Sequence, residues 1–267
     1  METGRMLQLE TALDSWARWS IGLHNKPAVL KPLSGGLCNR SFLLDSELGK
    51  LVLRLNGQNS LLPGESRNHE ASIWQAASHA GIAPPLLFSD EHAGFLVNSY
   101  IDSDLPANPV ENVDLANQAL DLLIRSHQLQ IKTPAIDYAK HIARYWSVIE
   151  SNKTPINPTL TTPRVPMQLV LETLLNSATA TGLCHHDPVV ANFVGNSERL
   201  YLIDWEYAAN GLQVMDYAAF GIEWGLDDEI IVKRSGVDAQ ILGLAKTLYW
   251  YICGLWEAQM DPGASPG

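Results

Sequence analysis

The chain has 267 residues, 46% of them hydrophobic and 18% charged, enough apolar material for a substantial core in one or two compact domains. With 18 basic against 29 acidic side chains the formal charge is −11, which argues against nucleic acid and an anionic membrane surface as partners and suits a cationic ligand. Cys38, Cys184 and Cys253 are too few and too scattered for a disulfide framework or a zinc site. No apolar run reaches the length of a membrane span, and Glu2, Glu10 and Asp14 interrupt any signal-peptide pattern, so a reduced cytoplasm is the expected location.

Leu7, Leu9, Leu13, Trp16, Trp19 and Leu23 recur at mostly helical intervals and predict a first helix over residues 7–24, ended by Pro27. Residues 29–33 read as a strand, 33–42 as a turn, and 42–44 as a second strand. In that turn Gly35 and Gly36 let a backbone approach phosphate oxygens, and Ser34, Asn39 and Ser41 can donate to them. A plain Gly-Gly hairpin is the alternative. Residues 50–55 form the third predicted strand and carry Arg54; residues 66–80 form a helix with Ile73, Ala76, Ala77 and Ala80 on one face, Glu70 in its first half and Gly81 as its stop. Residues 82–88 and 94–100 are further strands, and the turn-rich stretch 102–109 marks a boundary.

Beyond residue 113 the pattern turns helical. Leu115, Ala119, Leu122, Leu123, Ser126 and Leu129 make one face of a long helix that ends near His127; helices are also predicted over 142–149 and 165–178, with 153–166 looping outward. Near the C-terminus Leu244, Leu248, Tyr251 and Leu255 have helical spacing. Glu223 and Trp224 sit on a less regular segment and are the better candidates for an aromatic and acidic contact to a cation.

The densest signal runs from Leu183 to Tyr207, L-C-H-H-D-P-V-V-A-N-F-V-G-N-S-E-R-L-Y-L-I-D-W-E-Y. Phe193 and Val194 predict a short strand, Asn196 and Ser197 a turn, and residues 199–203 an apolar strand that ends at Asp204. A loop carrying Asp187 and Asn192, followed by a hairpin delivering Asp204, is expected to bring two carboxylates and a carboxamide together. Phosphoryl transfer needs that set: one acid takes the proton of an attacking hydroxyl, while an Asn and a second acid hold Mg²⁺ on nucleotide phosphates. His185, Asp187 and Asn192 follow the H-x-D-x-x-x-x-N kinase pattern, and Asp204 stands where protein kinases carry D-F-G. The plain alternative is three polar residues with no shared site. Glu206, two positions beyond Asp204, could reach a metal or accept from a cationic substrate.

These motifs resemble the aminoglycoside phosphotransferase and choline kinase family, and Leu202-Ile-Asp-Trp-Glu-Tyr207 is especially similar to its bacterial choline, ethanolamine and thiamine kinases. The resemblance spans residues 30–220. It implies an α+β, two-lobed, protein-kinase-like fold, with a nucleotide-binding lobe of antiparallel sheet over 1–100 and a mainly helical lobe over 101–267. ATP would lie between the lobes. The segment with Ser34, Gly35, Gly36, Asn39 and Ser41 is similar to the family's L-S-G-G-x-x-N phosphate loop. Arg54 stands where the family grips phosphate, Glu70 where it carries the acid that orients that base, and Val97, Asn98 and Ser99 where backbone groups meet adenine. Asp187 becomes the base, Asn192 and Asp204 the magnesium ligands, Asp216 a support of the catalytic loop, and Glu206, Glu223 and Trp224 candidate contacts to a small cationic alcohol. The family often places a His at His127, which on its own residues reads as structural or solvated. An aminoglycoside or other small-molecule acceptor, or an inactive nucleotide-binding module, are the alternatives; the lack of an A-P-E segment after Asp204 argues against a protein kinase.

Overall fold

The computed structural model describes residues 2–33, 39–57, 67–106, 112–152 and 158–260. Ser34, Gly35 and Gly36 of the expected phosphate loop lie outside the described residues. In chain order the elements are α1 (Glu2–Asp14), β1 (Ala28–Leu33), β2 (Arg40–Ser46), β3 (Gly49–Leu55), α2 (Arg67–His79), β4 (Leu86–Asp90) and β5 (Phe95–Ser99). There follow α3 (Val113–His127), α4 (Tyr138–Ser151), α5 (Pro158–Thr161), α6 (Arg164–Asn176), β6 (Thr181–Cys184), β7 (Phe193–Gly195) and β8 (Leu200–Leu202). The chain then ends with β9 (Ala209–Leu212), α7 (Gln213–Glu223), α8 (Asp228–Ser235) and α9 (Ala239–Met260). Two compact units emerge, Met1–Leu105 with Phe193–Glu206, and Pro106–Asn192 with Tyr207–Gly267.

The first unit is built on an antiparallel sheet of order β1-β2-β3-β5-β4. Alternation along β3 sends Leu51, Leu53 and Leu55 into a core with Leu44, Phe95, Val97, Ala12, Leu13 and Trp19. Each buried leucine contributes roughly 1.5–3 kcal/mol. The same period of two turns Arg54 to the opposite face, where it bonds Glu70 of α2.

Two predicted boundaries move in this unit. The first helix stops at Asp14, because the Ser15 hydroxyl caps Ala12 O (2.6 Å) and takes the Trp19 indole N–H (3.2 Å); a 3₁₀ turn, Trp16–Trp19, follows, and Ser20 turns left-handed. The strand expected over 82–88 starts only at Leu86. Pro84 and Pro85 have no N–H for a ladder, and Pro84 O instead accepts from the Trp74 indole at 2.8 Å.

The second unit is helical around the antiparallel pair β6–β9. Asn112 caps α3 through Leu115 N and Asp137 caps α4 through Lys140 N. The stretch expected to loop outward over 153–166 instead contains α5 and the start of α6. Pro158 opens α5 and Pro163 stands at the N-cap of α6, positions where the missing N–H costs nothing. Leu242, Ala245, Leu248 and Leu255 of α9 are fully buried, and α9 packs on α7, α4 and α6. Among the described residues no helix is long and apolar enough to cross a membrane.

Candidate active site

In the first unit the hairpin β7–β8 delivers Asp204. Its turn is closed by Asn196 Oδ1, which accepts from Glu198 N and Arg199 N at 3.0 Å each. Gly195 has φ +127°, and a Cβ there would lie 2.1 Å from Arg199 O, so only glycine fits. Leu202 N donates to Ile82 O (2.8 Å), and the fully buried Trp205 donates its indole N–H to Leu202 O (3.1 Å). Between these two anchors Asp204 takes φ 63°, a left-handed conformation that costs a non-glycine residue about 1–2 kcal/mol.

Around it gathers a cluster spread over the sequence. Arg54 Nη1 donates to Asp204 Oδ1 at 2.7 Å, and Nη2 to Glu70 Oε1 at 2.5 Å and Asn56 Oδ1 at 3.2 Å. Asn39 Nδ2 donates to Glu206 Oε2 at 3.0 Å and reaches Asp204 Oδ1 at 3.4 Å, while its Oδ1 accepts from Gly57 N at 3.1 Å. Burial works against the Arg54 charge, but Glu70, Asp204 and Glu206 more than offset it and hold the guanidinium protonated beyond its usual range. Burial and the neighbouring Asp204 push Glu206 up to about 6, against the pull of Arg54 and Asn39. Three carboxylates face one guanidinium, an excess of negative charge on hard oxygen donors that suits a divalent cation such as magnesium.

Ser41 lies opposite Arg54 across β2 and β3. Val97 is fully buried between β3 and β4, and Asn98 lies opposite Val52 and Leu86. Ser99 N donates to Pro85 O (3.0 Å) and Ser99 O accepts from the Asn98 side-chain amide (2.9 Å).

In the second unit β6 runs into His185, His186 and Asp187. The fully buried Asp216 carboxylate accepts from His185 N (2.7 Å), His186 N (2.8 Å) and His127 Nε2 (2.9 Å). Burial alone would raise Asp216, but the hydrogen bond and charge of His127 bring it down to about 2. His127 is therefore a buried structural residue, bonded also to Tyr217 at 3.1 Å. Asn192, at the end of a 3₁₀ turn, donates its amide to Asp187 O and Asp187 Oδ2, both at 2.8 Å. Asp187 and Asn192 are thus joined side chain to side chain.

Near Asp187 the surroundings are acidic. Burial and the charges of Glu223, Glu257 and Asp187 raise the Cys253 thiol to about 11, against the nearby Tyr249 hydroxyl. The Tyr249 O–H donates to Glu223 Oε1 at 3.0 Å. Trp224 requires a correction. It caps α7, has no solvent exposure and stacks on Phe220 (centroids 5.2 Å apart, planes 14°), so it has no face to offer a cation. Tyr249 and Cys253, on the half-buried side of α9, do not stand out in the sequence, because the helical spacing of Leu248 and Leu255 around them reads as packing.

The model of the phosphotransferase enzyme family matches residues 29–242. No curated protein sequence matches the chain. Among solved structures, the chain is similar to a choline/ethanolamine kinase family protein from Mesorhizobium loti (TM-score 0.73, 20% identity, 97% of this chain and 89% of that one). It is also similar to choline kinase LicA from Streptococcus pneumoniae (TM-score 0.68, 21% identity, 89% of each chain). A spectinomycin phosphotransferase, APH(9)-Ia, solved with ADP and spectinomycin, follows at TM-score 0.59 and 17% identity, covering 86% of this chain and 80% of that one. At these identities the likeness establishes the fold, the mixed α and β architecture of the protein-kinase-like phosphotransferases.

Proposed function

The chain belongs to the phosphotransferase enzyme family, and from that premise we propose that it transfers the γ-phosphoryl group of ATP to the hydroxyl of a small cationic alcohol of the choline, ethanolamine or thiamine kind. ADP in the spectinomycin phosphotransferase structure supports the nucleotide. The acceptor class rests on the acids of the second unit: Glu223 is held by the Tyr249 hydroxyl at 3.0 Å, and its charge with those of Glu257 and Asp187 is felt at Cys253, a setting that favours an ammonium over an anion.

Asp187 is the base. Asn192 holds its Oδ2 at 2.8 Å, which fixes the carboxylate for the proton of the acceptor hydroxyl. That proton leaves late in a loose transition state, so Asp187 needs no raised pKa. Arg54, oriented by Glu70 at 2.5 Å, grips phosphate oxygens with a permanent charge. Asp204 and Glu206 of the first unit, drawn together by the Asn39 amide, are the donors we assign to magnesium. Bound there, the ion would supply electrostatic offset of the charge on the phosphates. Asp216 keeps the backbone into Asp187 in place, and Glu223 contacts the substrate cation. Most of the rate then comes from positioning and preorganised charge.

The test is coupled ADP release with Mg-ATP across choline, ethanolamine, thiamine, an aminoglycoside and glycerol. We expect one of the first three to exceed glycerol in kcat/KM by at least about 10-fold, the scale of one desolvated charge contact. Preference for glycerol would reject the cationic class. Turnover with the aminoglycoside alone would move the acceptor within the same chemistry.

A further inference from the structure

His186 stands directly before Asp187 with φ 64°, a left-handed backbone that residues with a Cβ seldom adopt. Its ring is held on both nitrogens within the second unit. Nδ1 lies 3.1 Å from the Tyr207 carbonyl oxygen and Nε2 lies 3.0 Å from the Tyr138 hydroxyl. That hydroxyl oxygen also accepts from Leu212 N at 3.1 Å. A carbonyl can only accept, so Nδ1 carries the proton. Burial, the largest influence on this ring, favours its neutral form, so Nε2 is bare and receives the Tyr138 O–H. The chain of donors runs from Leu212 N–H to Tyr138, from Tyr138 to His186, and from His186 to Tyr207.

Two further facts tie this chain to the catalytic loop. Asp216 fixes His186 on its amide side, through the N–H at 2.8 Å. Rotation about the next bond, N–Cα, is left to the ring. Gly211 of β9 closes over the junction: a Cβ there would come within 2.6 Å of the Tyr138 hydroxyl and 2.7 Å of His186 Nε2. The backbone has been kept bare where the two side chains meet.

We propose that Tyr138, His186 and the Tyr207 carbonyl form a clasp that locks the left-handed turn leading into Asp187, which makes His186 a positioning residue for the phosphoryl-transfer base. The proposal rests on the reading of Asp187 as that base. Tyr138 lies 48 residues before His186, so the clasp ties the start of α4 to the catalytic loop through one hydroxyl.

The decisive experiment is long-range ¹H–¹⁵N correlation NMR of the histidine rings at neutral pH, with His186→Asn used to assign the signal. The clasp requires the neutral Nδ1–H tautomer at His186; in Tyr138→Phe the Tyr207 carbonyl keeps that tautomer, while the bare Nε2 loses its donor and its ¹⁵N signal should move downfield. Kinetics with the best acceptor of the panel form the second arm. Tyr138→Phe should lower kcat about 10-fold and leave KM for ATP within about 2-fold, because a small misplacement of the base affects the chemical step. In the His186→Asn background the same change should cost nothing more. An Nε2–H or doubly protonated ring in the wild type overturns the clasp, as does an unchanged kcat in Tyr138→Phe. If His186→Asn does not fold, Tyr138→Phe alone decides, because within the clasp it moves one histidine's bare-nitrogen signal, and the absence of that change overturns the clasp. Retained turnover in Asp187→Asn would instead remove the base assignment and leave the tautomer result standing, so the two failures are separable.

Discussion

In the first unit three carboxylates, Glu70, Asp204 and Glu206, gather about the Arg54 guanidinium. In the second, one carboxylate, Asp216, is ringed by donors from His127, His185 and His186. Arg54, Glu70 and Asp216 are buried and Asp204 and Glu206 partly so; both arrangements tie distant parts of the sequence together, but their balances are opposite. The first holds more negative charge than its cation offsets, and burial together with the charge of Asp204 raises Glu206 to about 6. The second holds its charge fully hydrogen-bonded, which lowers Asp216 to about 2. A cluster left with surplus charge responds to a ligand; one that is saturated serves as scaffold.

The contrast breaks most visibly at Arg54. Arg54→Ala leaves Glu70 and Asp204 facing each other without a cation, and loss of one partner of a buried pair costs about 3–5 kcal/mol. Denaturant unfolding of the purified variant measures this, and a change below about 1 kcal/mol would show that the carboxylates do not depend on the guanidinium. Next comes the chemistry. Asp187→Asn should lower turnover at least about 100-fold with nucleotide binding largely intact, read by ADP release and by thermal shift with Mg-ATP. Near-normal turnover would refute the base.

The smallest effects sharpen the comparison through pH. Asp216 has a folded pKa of about 2 against an ordinary 3.8, so its stabilisation is complete above about 3.8 and is lost as pH falls through about 2, a contribution of about 2 kcal/mol. Glu206 has the opposite sign. Its folded value of about 6 exceeds the ordinary 4.5, so folding favours the protonated acid, and that contribution is greatest below about 4.5 and is lost as pH rises through about 6. Melting curves from about pH 2 to 8 without metal, roughly the range that spans both groups, should therefore lose their acid slope in Asp216→Asn and their decline above about pH 5 in Glu206→Gln. Parallel shifts of the whole curve in both variants would reject the assignment of opposite signs.

Much of this was legible before any coordinates. Period-two alternation in residues 50–55 placed Arg54 on a strand, and the H-x-D-x-x-x-x-N spacing placed Asp187 five residues from Asn192, close enough for a single turn to join them. Glu70 could be assigned to Arg54 only through the family resemblance, since 16 residues separate them. The outward loop expected over 153–166 failed because proline was read as a breaker, whereas Pro158 and Pro163 stand at helix starts. Trp224 failed because an aromatic beside an acid looks the same in sequence whether its ring faces a ligand or Phe220.

The sequence alone therefore determined the local items: element type, the carboxylates and amide of the reactive loop, and the chemistry those groups can perform. These depend on spacing along the chain, which sequence states directly. The tertiary structure alone decided which charges lie uncompensated, which aromatics are sealed in the core, and that Tyr138 and Gly211 close on His186. Burial and partnership between residues far apart in the chain arise only when packing has removed water from between them, and that removal turns an ordinary acid into a strong one or a weak one.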